Sequence, residues 1–217
     1  MHFLIIASHV FVELRQVLRR HGIKEIAQIA RRHGAYIIED AAHSIGGRYR
    51  DGSRVGSCSH SDMTTFSFHP VKTMTTGEGG AITTNSTELY ERLTMLRTHG
   101  ITRQPEKLSQ QPGPWYYEMQ MLGFNYRMTD IQAALGRSQL AKLDRFVSRR
   151  RQLVARYNEA FSDIPWLTPP WEEPRHETSW HLYVLQFDWE AIGMDRPSVM
   201  ARLREQGVGS QVLYIPV

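Results

Sequence analysis

Residues 24–40, KEIAQIARRHGAYIIED, constrain the fold more than any other part of this chain. Apolar positions at Ile26, Ile29 and Ala30, followed by Gly34, predict a short helix over 24–33 with a glycine stop. AYIIED then predicts a strand that ends in acids. A helix, a tight glycine and an apolar strand in that order are the repeating unit of an α/β domain with a mainly parallel sheet, whose functional groups gather at the carboxyl ends of the strands. Asp40 stands at such an end.

The rest of the chain fits this plan. DMTTFSF, residues 62–68, alternates in β-branched and aromatic types as a strand should, and Lys72 follows its end by four residues. GEGG predicts a turn and AITT another strand, and Asn85 with Glu88 resembles a capping box opening a helix through Leu96. Residues 103–118, rich in Gln, Pro and Tyr, predict a long loop. Thr129 with Gln132 predicts a second capping box, at the head of a helical arm that continues to Phe161. The strand TSWHLYVLQF, the helix PSVMARLREQ with Pro197 in its first turn and Gly207 as its stop, and the strand QVLYIPV predict a smaller α/β unit. The organisation expected is therefore an unmatched segment 1–23, a partial large domain 24–128, and connecting helices with an incomplete small domain 129–217.

Composition narrows the function. Net charge is +4, but the basic residues are scattered among acids, so a nucleic-acid surface is not expected, and residues 149–151, three consecutive arginines, predict a solvated helix face. The one cysteine, Cys58, excludes an intrachain disulfide and fits a reducing compartment. The amino-terminal apolar run is too short for a membrane helix and lacks the basic start of a secretion signal, so a cytoplasmic location is expected. Ten histidines raise the question of a metal, but there is no HExxH and one cysteine builds no thiolate cluster, so none is expected. GEGG lacks the Gly-Lys-Ser/Thr of a nucleotide P-loop.

Of 26 basic residues only four are lysine: Lys24, Lys72, Lys107 and Lys142. In a chain that carries charge on arginine, a lysine inside a motif is informative, because a guanidinium cannot form a Schiff base. Pyridoxal phosphate asks a protein for a lysine, an acid against its pyridine nitrogen and donors for its phosphate. Asp40, Ser67 and Lys72 supply those types near successive strand ends.

IIEDAAHSIGG, FSFHPVKTMTTGEGGAITTN, LRTHGITR and GFNYRMTDIQAALG resemble, as an ordered set, the DegT-type sugar-nucleotide aminotransferases of fold type I. HGITR with PWYYEMQMLGFNYRMTD is most similar to the branch that makes UDP-4-amino-4,6-dideoxy-N-acetyl-β-L-altrosamine, the pseudaminic acid precursor. The resemblance implies that Lys72 holds the cofactor as a Schiff base and, once released, shuttles the proton. It implies that Asp40 pairs with the pyridine nitrogen, that His43 contacts the ring or its phenolic oxygen, and that Ser67 binds the phosphate. Asn125 would reach the phosphate of a partner subunit in a homodimer, and Tyr126 and Arg127 are weaker candidates for substrate contact. L-glutamate is the implied amino donor and a UDP-linked 4-keto-6-deoxy sugar the acceptor.

Family members begin with a longer segment that residues 1–23 do not match, so a fragment lacking that part and the extreme carboxyl terminus is expected. Two alternatives stay open: a sister enzyme acting on another nucleotide-linked keto sugar, and a non-catalytic regulator or remnant of the fold. Retention of both Lys72 and Asp40 speaks against the last.

Overall fold

The computed structural model describes residues 2–7 and 22–212. Helix α1, Ile23–Arg32, buries Ile23, Ile26, Ala27 and Ala30, the stripe that a 3.6-residue period places on one face. The sequence pattern put Ile29 on that stripe, but Ile29 is exposed and Ala27 takes its place. The stripe packs on Ile37, which is completely buried, together with Ala35 and Tyr49. Each buried isoleucine here contributes about 1.5–3 kcal/mol to holding helix on sheet.

Gly34, in the left-handed conformation, turns the chain into β2, Ala35–Asp40. Asp62 locks that turn from below: one carboxylate oxygen accepts from Ile37 N at 2.7 Å and the other pairs with Arg31 of α1 at 2.8 Å. Strand β1, His2–Ala7, lies parallel to β2 along its whole length, from His2 against Ala35 to Ala7 against Asp40. Part of segment 1–23 is therefore a strand of the main sheet, and its last residue, Ile23, opens α1; residues 1 and 8–21, like residues 213–217 of the last expected strand, lie outside the described residues. Strand β3, Met63–Ser67, runs parallel to β2 on its other side, and β4, Gly80–Thr83, closes the edge antiparallel, giving the order β1-β2-β3-β4.

Helix α2, Thr87–Leu96, starts one residue later than the expected capping box would place it. Ser86, not Asn85, is the cap: its backbone is extended and its hydroxyl accepts from Leu89 N at 3.3 Å. Asn85 instead donates to the carbonyls of Ser57 and Cys58. After it, β5, Ile101–Thr102, pairs with β6, Glu118–Met119, across a loop closed by the Glu118 carboxylate, which accepts from Ser109 N, Ser109 Oγ and Tyr116 Oη.

Helix α3, Asp130–Leu140, opens with the capping box that Thr129 and Gln132 predict. The helical arm is not continuous. It breaks at Ala141 and Lys142 before α4, Leu143–Phe161. Strands β7, Leu167–Thr168, and β8, Gln186–Phe187, form a two-stranded ladder, followed by α5, Trp189–Ile192, and α6, Arg196–Glu205. TSWHLYVLQF is thus a strand only at its last two residues. At Trp180 the chain has φ 54°, which no strand accommodates. Among the described residues, no helix is long and apolar enough to cross a membrane.

Two of the most recognisable sequence pieces, LRTHGITR and GFNYR, are tied together through their backbones. His99 N donates to Phe124 O at 2.8 Å, Phe124 N to Leu96 O and Tyr126 N to Arg97 O, and Thr98 bridges Asn125. Gly100 and Gly123 cross at this point: a Cβ on Gly100 would overlap the carbonyl oxygen of Met121, and Gly100 also has φ 69°. Gly100→Ala is expected to destabilise the fold by more than about 1 kcal/mol, measured by urea denaturation, whereas Gly209→Ala, whose added Cβ meets nothing within 4 Å, should change stability far less.

Candidate functional site

The parallel pairing of β2 with β3 sets Asp40 against Thr65. The carboxyl ends of the two strands therefore lie along one edge of the sheet. As the chain leaves that edge, Ala41 N donates to Thr65 O at 2.9 Å, extending the ladder, and Ala42 N donates to Asp40 Oδ1 at 3.0 Å, fixing the acid. Behind Asp40, Glu39 is buried facing the opposite way, as strand alternation requires, and its carboxylate accepts from the hydroxyls of Ser61 and Thr64.

Lys72 sits on the loop between β3 and β4. Phe68 closes that loop at its root: its N–H donates to Gly79 O at 2.8 Å, and its carbonyl accepts from Thr76 N and Thr75 Oγ1. Thr75 Oγ1 accepts from Gly77 N and Thr76 Oγ1 donates to Glu78 O, so the GEGG turn is pinned by the threonines that follow the lysine. Helix α3 anchors it from outside, with Gln132 Nε2 donating to Glu78 O at 2.9 Å. Lys72 N donates to His69 O at 3.0 Å, one turn of a half-buried loop. Burial lowers the pKa of the Lys72 ammonium below the ordinary 10.5, and the negative charge of Asp40 pulls it part of the way back. Acid and amine are therefore within each other's field. Ser67, at the end of β3, is half-buried, and its hydroxyl accepts only a long 3.5 Å bond from His69 N.

Asp40 and His43 line a cleft of about 590 Å³ together with Ser44, Thr178, Trp180 and His181. Ser67 and Lys72 are not in its lining. Asn125, Tyr126 and Arg127 are exposed, and Tyr126 stacks on Phe124 with ring centroids 4.9 Å apart. The fold thus gathers Asp40, Ser67 and Lys72 along one sheet edge and His43 with Asp40 in one cleft. It leaves the 125–127 trio facing outward.

One part of the cleft went unread in the sequence. Residues 178–182 were expected to run in a strand, and 149–151 to be a solvated helix face, a reading that the exposed Arg149 alone fits. Instead Arg150 of α4 donates to the carbonyls of Trp180 and His181, at 3.1 and 3.2 Å, and Arg151 and Arg48 both approach the Glu177 carboxylate at 3.6 Å. Nothing in the local pattern distinguishes these arginines from solvated ones. The partners of Arg150 and Arg151 lie about thirty residues away, and that of Arg48 lies much further along the chain.

The donor set fits pyridoxal phosphate: an amine whose proton is loosened by burial, a carboxylate within its field, a strand-end hydroxyl with spare donor capacity, and an imidazole beside the acid. Comparison with known proteins agrees. The chain is 38% identical over 183 residues to the spore coat polysaccharide biosynthesis protein SpsC of Bacillus subtilis, covering 84% of this chain and 46% of that protein. Among solved structures it resembles PseC of Helicobacter pylori, an aminotransferase involved in the biosynthesis of pseudoaminic acid, with TM-score 0.78 and 29% identity over 90% of this chain and 50% of that one. It also resembles Spr1654 of Streptococcus pneumoniae in its PLP form, with TM-score 0.77 and 27% identity over 98% of this chain and 54% of that one. The chain spans about half the length of these relatives, and over that half its fold is that of the PLP-dependent aminotransferases of fold type I. With residues 19–217 matching its description, the chain belongs to the DegT/DnrJ/EryC1/StrS aminotransferase family, whose cofactor is pyridoxal phosphate.

Proposed function

We propose that this chain carries the cofactor-binding core of an enzyme that transfers the amino group of L-glutamate to C4 of a nucleotide-linked 4-keto-6-deoxy sugar. The observation that carries the reading is the placement of Asp40 and the Lys72 loop at one edge of the parallel β2–β3 pair, where the half-buried amine feels the charge of the acid. Bound pyridoxal phosphate would supply the aldehyde that accepts the amine and the ring that takes up electron density.

The chain's own residues have separate tasks. Lys72 Nζ must be unprotonated to bond and to take a proton, and burial moves it in that direction. Asp40 would set its carboxylate against the ring nitrogen of the bound cofactor. His43, in the same cleft, faces the ring, and Ser67 offers its hydroxyl to the phosphate. Asn125 serves the phosphate of a second copy, and Tyr126 and Arg127 meet substrate. Their exposure supports a site shared across a homodimer, as do the apolar side chains of Leu122 and Ile131 on the same stretch, which are 86% and 84% exposed. The large domain would end near residue 128 and the connecting helices and small domain begin at 129. A cytoplasmic enzyme is the natural setting for a nucleotide sugar and one free cysteine.

Likeness to PseC supports the pseudaminic acid route, and likeness to SpsC supports polysaccharide biosynthesis more widely; the UDP linkage rests on the sequence resemblance of HGITR and PWYYEMQMLGFNYRMTD. A panel of UDP-, GDP- and dTDP-linked 4-keto-6-deoxy sugars, offered with L-glutamate and read by mass spectrometry of the amino product, is expected to favour the UDP sugar. Preference for another nucleotide would move the reading to a sister enzyme.

Borohydride reduction in the presence of pyridoxal phosphate should leave the cofactor on Lys72 and not on Lys24, Lys107 or Lys142, as read by peptide mapping; labelling spread evenly over the four lysines would refute the assignment. The yield should rise with pH about a midpoint below 10.5. Asp40→Asn removes the charge that holds the Lys72 proton, so it should shift that midpoint further down while weakening cofactor binding by about tenfold or more.

A further inference from the structure

Residues 177–182 form a strap over the loop that carries His43, and none of the roles above uses it. Its first end is a two-way backbone bridge: Arg48 N donates to Glu177 O at 2.8 Å and Glu177 N to Arg48 O at 3.0 Å. Ser179, only 1% exposed, donates its hydroxyl to the carbonyl of His43 itself at 3.2 Å. Arg150 reaches in from α4 and donates to the carbonyls of Trp180 and His181. Between these anchors Trp180 is buried with φ 54°, a left-handed conformation that a bulky side chain adopts only where surrounding contacts over-determine it.

That turn brings the imidazole of His181 onto the imidazole of His43. Their centroids are 4.3 Å apart and the planes meet at 60°. Both rings line the cleft that contains Asp40. Rings in contact at this distance limit each other's rotation. The backbone of His43 is held by Ser179 and its ring meets His181, two contacts from one strained segment on one residue of the cleft.

We propose that His181 is a positioning residue that sets the ring orientation of His43 toward the cofactor, with the strained 177–182 strap as its support; what His43 faces rests on the function proposed above. The role belongs to the ring, not to the charge of His181. His181→Phe therefore keeps it and His181→Gln loses it.

Three measurements on the 217-residue chain test this: thermal melting, the His43 C2 proton resonance in cofactor-free protein, and titration with pyridoxal phosphate. His181→Gln is expected to move the His43 resonance and weaken cofactor binding about three- to tenfold at a near-wild-type melting temperature, while His181→Phe stays within about twofold. An unmoved His43 resonance in His181→Gln overturns the proposal, as does equal weakening in both variants. Should His181→Gln fail to melt cooperatively, His181→Leu takes its place under the same criteria. A wild-type chain that takes up no cofactor counts against the proposed function, and the resonance then decides the positioning role by itself.

Discussion

The parallel register of β2 on β3 is the constraint on which the candidate site depends. It puts Asp40 opposite Thr65, two residues short of Ser67, so acid and hydroxyl leave the sheet at one edge and the Lys72 loop begins there too. Parallel strands need a long crossover, and here residues 41–62 supply it. That crossover carries His43 at its start and Asp62 at its end. Asp62 returns to the root of β2 and ties it to α1, so the strand that presents Asp40 is fixed from below by an ion pair and from the side by a buried aliphatic stripe.

The same edge shows how burial and charge oppose each other. Lys72 is buried enough to lose part of its hold on a proton, yet Asp40 is close enough to restore some of it. An amine left fully in water would remain protonated at neutral pH, and one buried without an acid would be costly to order. Glu39, one residue before Asp40, is the contrasting case. Its carboxylate points to the other face of the sheet, where the Ser61 and Thr64 hydroxyls satisfy it. Two adjacent acids thus serve different ends because a strand alternates its faces.

Much of the fold was legible because its cues are local. Gly34 and Gly207 are left-handed just past the helices they end, and the Thr129 capping box forms as its spacing predicts. Local cues failed where a distant partner outweighed them. Ser86 displaces Asn85 as a cap because Asn85 is taken by carbonyls nearly thirty residues earlier. The TSWHLYVLQF run reads as a strand by composition, but the contacts of residues 177–182 with Arg48, His43 and Arg150 hold it in another shape.

The sequence by itself singled out the candidate lysine and acid, Lys72 and Asp40, and the strand-end positions that a parallel α/β sheet gives them. Those follow from residue type and short-range periodicity, which the chain carries wherever it folds. Only the tertiary structure decided that Lys72 and Asp40 share a field, that Asn125, Tyr126 and Arg127 face outward, and that His43 meets His181. Each of these is a contact or a solvent exposure between segments far apart in the chain, and no local pattern encodes such a distance.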